Sequence, residues 1–351
     1  MDKQRIQAFA DKVYDDMAGT MAVGMAYAGV KTGLFGTMAG KGAMTCADVV
    51  AASGLEPRYV EEWLNGMAAG GYLDYDADAE TWSLPDEHAY LLASQGTDHF
   101  MGGLFFMGTS LLAVAPQVAE AFATGGGVKF EHFGPDCVNG LDMLNHGSYA
   151  QRFTGYWLQT LPDVVARLES GGRALDFGCG SGRACIALAK AFPEADVVGL
   201  DIDAHSVAMA RAMAEDAGLA DRIAFVAADI ASFAPEEKFD LICACDCVHD
   251  LADPHGTLAA IRSLLKPDGT LFVAEPKAAD RLEDNMTPLG TVFYGFSIFH
   301  CMTQSLANGG PGLGTCMGPA RTEALLRDAG FGSVEILDIK SQTNLFYAAR
   351  V

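Results

Sequence analysis

LDFGCGSGR, residues 175–183, places Gly178, Gly180 and Gly182 at alternate positions, directly after an apolar run that carries Asp176. The amphipathic stretch ACIALAKAF follows at once. Apolar run, glycine turn and amphipathic stretch read as strand, tight turn and helix, with the strand ending at Asp176 and the helix starting near Gly182. Glycine turns of this kind let a cofactor approach the backbone closely. A dinucleotide fingerprint needs G-x-G-x-x-G, and the third position after Gly180 is Arg183, so the spacing differs. No G-x-x-x-x-G-K-[ST] run occurs, which argues against a phosphate-cradling P-loop.

Asp176 narrows the cofactor further. A carboxylate at the mouth of the turn repels a pyrophosphate and suits a group that presents an ammonium. S-adenosylmethionine has such a group. Moving outward along the chain, VVGLD ends on Asp201 about twenty residues past the turn, where a carboxylate can take both ribose hydroxyls. The run AAD then puts Asp229 within reach of an adenine amine. An aspartate at a strand end is often only a helix cap. Three beside one glycine turn form a constellation.

The runs RALDF, ADVVGLD, RIAFVAAD, FDLICAC and GTLFVAE alternate with amphipathic stretches, and SVEILDI and TNLFYAAR close the chain. This order implies an α/β, doubly wound parallel sheet. Residues 1–100 read differently. TCADVVAASG and PRYVEEWLNGMAAGG form two helices joined at Gly54, and two short strands flank an acidic turn. That order is winged-helix-like. The turn carries Asp74, Asp76, Asp78 and Glu80, and Arg58 is offset by Glu61 and Glu62. Duplex binding needs cations, so the expectation is a dimerisation or lid domain that binds no nucleic acid. Residues 101–170 read as a helical connector lining the active site, and 171–351 as the catalytic domain.

Of the 351 residues, 50% are hydrophobic and 19% charged, and the net charge is −22. The core is therefore ample, and anionic membranes and nucleic acids are disfavoured as partners. Asp2, Lys3, Arg5 and Asp11 do not read as a secretion signal. The uncharged stretch 100–119 contains Gly102, Gly103, Gly108 and Pro116, which fits a buried helix better than a membrane span. Nine cysteines, mostly in apolar runs, suggest free thiols and a cytoplasmic protein.

DFGCGSG, GLDID, AADI and LLKPDGTLFVAE, in this order and spacing, resemble the class I S-adenosylmethionine-dependent methyltransferases, over about residues 145–351. FGPDCVNGLDMLN, LKPDGTLFVAEPKAADRLEDN and HCMTQSLANGGPGLGT are similar to stretches of a two-domain bacterial group within that class. It has a winged-helix-like N-terminal domain and includes a mycobacterial member. The resemblance implies a seven-stranded Rossmann-like methyltransferase sheet. It also implies S-adenosylmethionine as cofactor, S-adenosylhomocysteine as product, and a small-molecule methyl acceptor. By position, Gly178, Cys179, Gly180 and Gly182 approach the methionine part and Asp176 faces its ammonium. Asp201 takes the ribose, Asp229 the adenine amine, Ile202 and Ile230 sandwich the adenine, and Asp246 sits near the methionine end. Tyr149 contacts the methionine carboxylate.

The acceptor end is more open. His249 and Asp250 follow the fourth strand, where a histidine oriented by a carboxylate can take a proton from a hydroxyl. A thioether or a neutral amine needs no base, and a small carboxylate-bearing thioether remains one candidate. Arg152, Tyr156, Trp157, Glu275, Tyr294 and His300 are candidate pocket residues. Asn285 to Ala320 carries no Asp, Glu, Lys or Arg, as a packed helix or a pocket wall does. Cys243, Cys245 and Cys247 raise the possibility of an arsenite-binding methyltransferase, but three thiols on one strand do not converge on a tetrahedral centre, so no metal is expected. A regulator that senses S-adenosylmethionine without catalysis and a dinucleotide oxidoreductase on the same sheet both stay compatible with parts of the pattern. The acidic wing weighs against the first, and the glycine spacing against the second. The protein is expected to be a homodimer through its N-terminal helices.

Overall fold

The computed structural model describes all 351 residues, and the chain divides into two compact units. One holds Met1–Leu112 and Gly134–Gly147, the other Ala113–Phe133 and Ser148–Val351. The stretch 101–170, expected as a connector of its own, is thus shared between them.

In the first unit the helices Cys46–Ser53 and Pro57–Ala69 precede the hairpin β1 (Asp74–Asp76) and β2 (Thr81–Ser83). Thr45 and Asp48 form a reciprocal capping box at the start of the first helix, and Gly54 ends it at φ 70°. Pro57 opens the next helix, where its missing N–H costs nothing. Phe35, Met38, Leu64, Met67 and Trp82 pack as one core, and the Trp63 indole donates to the Met25 carbonyl at 2.9 Å. The helices Gly102–Ala113 and Pro135–Ser148 approach closely. A Cβ on Gly103 would lie 2.7 Å from the Gly140 carbonyl oxygen. Lys31 and Tyr27 both bond to Asp136. No single helix is long and apolar enough to cross a membrane, and the helix Gly102–Ala113 buries most of its side chains.

The second unit is built on β3 (Arg173–Phe177), β4 (Asp196–Asp201), β5 (Ile223–Ala227), β6 (Phe239–Cys245), β7 (Leu265–Pro276), β8 (Ser333–Ile336) and β9 (Asn344–Arg350). Their order is β5-β4-β3-β6-β7-β9-β8, parallel up to β7, with β9 antiparallel to both β7 and β8. Successive strand residues point to opposite faces, and both faces are apolar. Ala174, Val197, Cys243, Phe272 and Phe346 join one cluster, and their neighbours Leu175, Val198, Ile242, Val273 and Tyr347 join the other. This is the signature of a sheet covered on both sides. Helices Pro162–Glu169, Arg183–Ala191 and Ala204–Asp216 contribute to the first cluster; Pro254–Leu264 and Pro319–Asp328 contribute to the second.

β3 pairs with β4 on one side and with β6 on the other. The chain direction through the sheet therefore reverses at β3, and the crevice beyond the carboxyl ends of β3 and β6 is where an open α/β sheet binds ligands. Two π-helical segments, Tyr149–Trp157 and Ser297–Cys301, were not foreseen from the sequence, and both carry candidate site residues.

Candidate active site

The glycine turn leaves β3 with Gly178, Gly180 and Gly182 at φ 70°, 49° and 77°, a left-handed region closed to most side chains. The N–H groups of Gly178 and Cys179 donate to the Leu200 carbonyl at 2.8 and 3.1 Å, which ties the turn to β4. The three glycines differ in what surrounds them. A Cβ on Gly182 would lie 2.8 Å from the Phe225 ring and 2.9 Å from Ala210. One on Gly178 would lie 3.3 Å from Cys247, and one on Gly180 meets nothing. Gly182 serves helix–sheet packing, and Gly180 faces open space.

The carboxylates gather around this turn. Asp176 is 3% exposed on β3, and burial pushes its carboxyl up to about 7. Asp201, at the end of β4, accepts from the Gly180 N–H at 2.8 Å and from the Asp203 N–H at 2.9 Å. Burial raises it as well. Asp246 sits at φ 53° just past β6; burial first, then the Glu275 charge, raises it to about 7, and the Asn344 amide donates to it at 2.7 Å. Tyr149, at the start of its π-helix, bonds to Cys245 and feels the charges of Asp246 and Asp176. Tyr149, Asp176 and Asp246 therefore share one end of the sheet. A carboxyl held up by burial ionises when a cation is brought beside it, which fits the sulfonium and ammonium of the expected cofactor.

The residues expected at the adenine are less completely gathered. Asp229 is exposed and caps the short helix Ile230–Ser232 through the Ala231 N–H at 2.8 Å. Ile202 is 74% exposed, an open apolar surface suited to a base. Ile230 is 5% exposed and packs with Phe239 and Ile242 in the core. Ile202 is thus the open apolar side chain of the pair.

Around His249 the structure corrects the sequence reading. The carboxylate that orients His249 is not Asp250 but Glu275, near the end of β7. Glu275 Oε2 lies 2.7 Å from His249 Nδ1, and its Oε1 accepts from the Val248 N–H at 3.0 Å. Both side chains are buried. Burial alone lowers the imidazole pKa, but the charges of Glu275 and Cys301 outweigh it and raise it well above the ordinary value. Asp250 follows His249 in a tight 3-10 turn, where neighbouring side chains point about 120° apart. It turns to the Gln304 amide at 2.6 Å, and burial raises it to about 7. His249 Nε2 lies 3.2 Å from Cys301 Sγ.

The remaining candidates separate. His300 is buried against Phe133 at 4.8 Å. Trp157 belongs to the core rather than to a pocket wall, packed on Phe346 at 4.8 Å. Arg152 is exposed, and Tyr156, 38% exposed, accepts from the Lys340 N–H at 3.0 Å. Tyr294 is 42% exposed. Cys301, Thr315, Gln304 and Asn344 were missed. Cys301 and Thr315 lie in the HCMTQSLANGGPGLGT stretch, so a motif marked the segment without showing what its residues touch.

The sheet order and the glycine turn are those of a Rossmann-like α/β sheet of the methyltransferase fold. Residues 168–308 match the methyltransferase domain family, so this part of the chain is a methyltransferase domain, with S-adenosylmethionine as its cofactor. Residues 19–94 match the Rv2258c-like winged HTH domain. Among curated relatives, trans-aconitate 2-methyltransferase of Methylobacterium radiotolerans is 35% identical over 127 residues, 36% of this chain and 46% of the relative. Ubiquinone biosynthesis O-methyltransferase of Actinobacillus pleuropneumoniae is 36% identical over 108 residues, 29% of this chain and 44% of the relative. The chain thus spans less than half the length of these relatives. Among solved structures, human N-acetylserotonin methyltransferase has a TM-score of 0.71 at 18% identity and covers 97% of both chains. Mitomycin 7-O-methyltransferase has a TM-score of 0.68 at 17% identity and covers 100% of both. These likenesses establish the fold.

Proposed function

We propose that this protein transfers a methyl group to the hydroxyl oxygen of a small molecule. The observation that carries this reading is the buried His249–Glu275 pair beside Asp246. A thioether or a neutral amine acceptor needs no base, whereas a hydroxyl must lose its proton as the new bond forms. Burying a charged imidazole–carboxylate pair is costly unless it is used or fully bonded, and here it lies at the carboxyl end of β6 and β7, at the acceptor end. The relatives named as O-methyltransferases act on oxygen, as their names state.

In this reading the turn Gly178–Gly182, Cys179 included, cradles the methionine part of the cofactor. Asp176, Asp246 and Tyr149 surround that end. Asp201 takes the ribose, Asp229 the adenine amine, and Ile202 lies against the base, whereas Ile230 stays in the core. The bound cofactor supplies a methyl group on a sulfonium, which keeps the electron pair of the broken carbon–sulfur bond. Glu275 fixes the imidazole of His249 through Nδ1, so Nε2 is the nitrogen that takes the acceptor's proton. Tyr156, Tyr294, Arg152 and His300 serve the acceptor side. The test uses S-adenosylmethionine labelled in its methyl group, incubated with the protein and the small-metabolite fraction of the native cells. Label recovered in an O-methyl product is the expected result. Label on a sulfur, or bound cofactor with no transfer, overturns the reading.

The winged domain is proposed as a dimer element rather than a DNA reader. Arg58 is already paired with Glu62, and β1 presents Asp74 and Asp76 to solvent. The occupant proposed for its apolar surface is a second copy of the chain. In the helix Lys3–Lys31, Ile6, Phe9, Val13, Met17 and Met21 are each at least half exposed and recur every three or four residues. Such a stripe on one helix face is stable in water only when covered. Phe9→Asp with Met17→Asp should convert a dimer into a monomer by light scattering. A wild-type protein that is monomeric at micromolar concentration sinks the assignment.

A further inference from the structure

Three groups converge on one sulfur. Cys301 Sγ lies 3.2 Å from His249 Nε2, accepts from the Thr315 hydroxyl at 3.2 Å and lies 3.6 Å from His300 Nδ1. Glu275 holds the far nitrogen of His249 at 2.7 Å. Nucleophile or acid, imidazole and carboxylate stand in line, as in the triads that activate thiols and hydroxyls. The nitrogen assigned to the acceptor's proton is therefore already engaged by a thiol. A base masked in this way works only if the thiol takes part.

We propose that Cys301 is the third member of the proton-transfer site, a positioning residue whose sulfur stores the proton that His249 must give up before it can act. The inference rests on the hydroxyl-methylation reading above. At rest the shared proton sits on Nε2, an imidazolium against a thiolate. When an acceptor hydroxyl arrives, that proton crosses to Sγ and the freed Nε2 lone pair takes the hydroxyl proton. The electron pair of the broken O–H bond enters the new O–C bond. The site is then imidazolium and thiol, one proton richer, and returns to rest by releasing that proton to solvent.

The surroundings agree with this state. Burial would push the Cys301 thiol up, but His249 and then His300 outweigh it and bring it down to about 5. Cys185, Cys243, Cys245 and Cys247 move the opposite way, well up on burial, and Cys316 rises to about 11. The titratable groups facing the pair are Glu275 from β7, Asp246 and Asp250 from the segment after β6, His300 from the π-helix and Cys316 from the following loop. The acids oppose thiolate formation and favour the imidazolium, and the two histidines favour the thiolate.

The pH dependence has a definite sign. With Cys301 present, the site gains its second proton, and stops working, as the pH falls through about 5. Without the thiolate, the acid limit becomes that of His249 beside Glu275, whose charge still holds the imidazole above its ordinary range. The acid limb of kcat/KM should therefore move up in both Cys301→Ala and Cys301→Ser. At pH 5.5 each variant should work at about a tenth of its own plateau or less. Serine keeps the size and a hydrogen bond, so a merely structural role would be rescued by it, and the limb would not move. A second readout needs no turnover: the ultraviolet thiolate absorbance of the unliganded protein at pH 7. It should vanish in Cys301→Ser and in His249→Asn. Wild-type protein with no such absorbance, or a limb unmoved in both Cys301 variants, overturns the proposal. Thiolate present with no hydroxyl methylated by any extract refutes the function and this proton-storing role together. Methylation without the thiolate refutes the role alone.

Discussion

Replacing His249 by alanine should lower kcat for methyl transfer by about 10²- to 10⁴-fold, the span for loss of a positioned general base. Cofactor affinity, measured by titration calorimetry, should stay close to wild type, because the proposal assigns His249 to the acceptor and the glycine turn to the cofactor. Glu275→Gln is the sharper companion. It keeps a side chain of the same shape within reach of Val248 N–H, bonded at 3.0 Å in the native protein, but removes the charge that raises the imidazole. An acceptor hydroxyl then meets a weaker and less firmly oriented base, and kcat should fall by about tenfold or more. Asp250→Asn, by contrast, disturbs only a bond to Gln304 and should cost much less, because Asp250 does not touch the imidazole. If His249→Ala loses only a few-fold, the acceptor is one that needs no base.

The second large effect is on stability. Gly182→Val puts a β-branched side chain at φ 77° and a Cβ 2.8 Å from the Phe225 ring. The left-handed backbone costs about 1–2 kcal/mol, and overpacking against β5 and the helix Ala204–Asp216 about 1–3 kcal/mol more. A loss of about 2–5 kcal/mol is a large part of a typical 5–15 kcal/mol stability, and the urea midpoint should fall accordingly. Gly180→Ala is the control. It shares the strained φ of 49° but meets no atom within 4 Å, so its stability loss should be smaller. Its damage should appear as weaker cofactor binding, since the new methyl points into the open space at the turn. Equal stability losses in the two variants would show that packing against Phe225 is not what Gly182 provides.

How much of this was legible depended on distance along the chain. The strand–turn–helix at 175–191, the aspartates at successive strand ends and the capped helices of the winged unit are local signals. Each rests on residues within a few positions of one another, and each was readable. The same holds for the two faces of the sheet, because alternation is a property of each strand alone. The partner of His249 was not readable in this way. Asp250 is adjacent in sequence, but a 3-10 turn sends adjacent side chains apart, whereas Glu275 arrives from the next parallel strand. Cys301 lies 52 positions from His249, and nothing local marks it as more than one cysteine among nine. Trp157 read as a pocket aromatic because it sits near Tyr149 in sequence. The strand β9, far along the chain, is what buries it.

The two π-helical segments have a consequence for how such a site can be inherited. A π-turn is an α-helix that has absorbed an extra residue, and each residue advances an α-helix by about 100°. Ser297–Cys301 carries both His300 and Cys301. Losing one residue there would swing the rest of the helix by more than a quarter turn and carry the sulfur off the imidazole, with no change in amino-acid identity. Two chains of this kind could thus share every motif and still differ in whether their base is masked, through a single in-frame codon gained or lost.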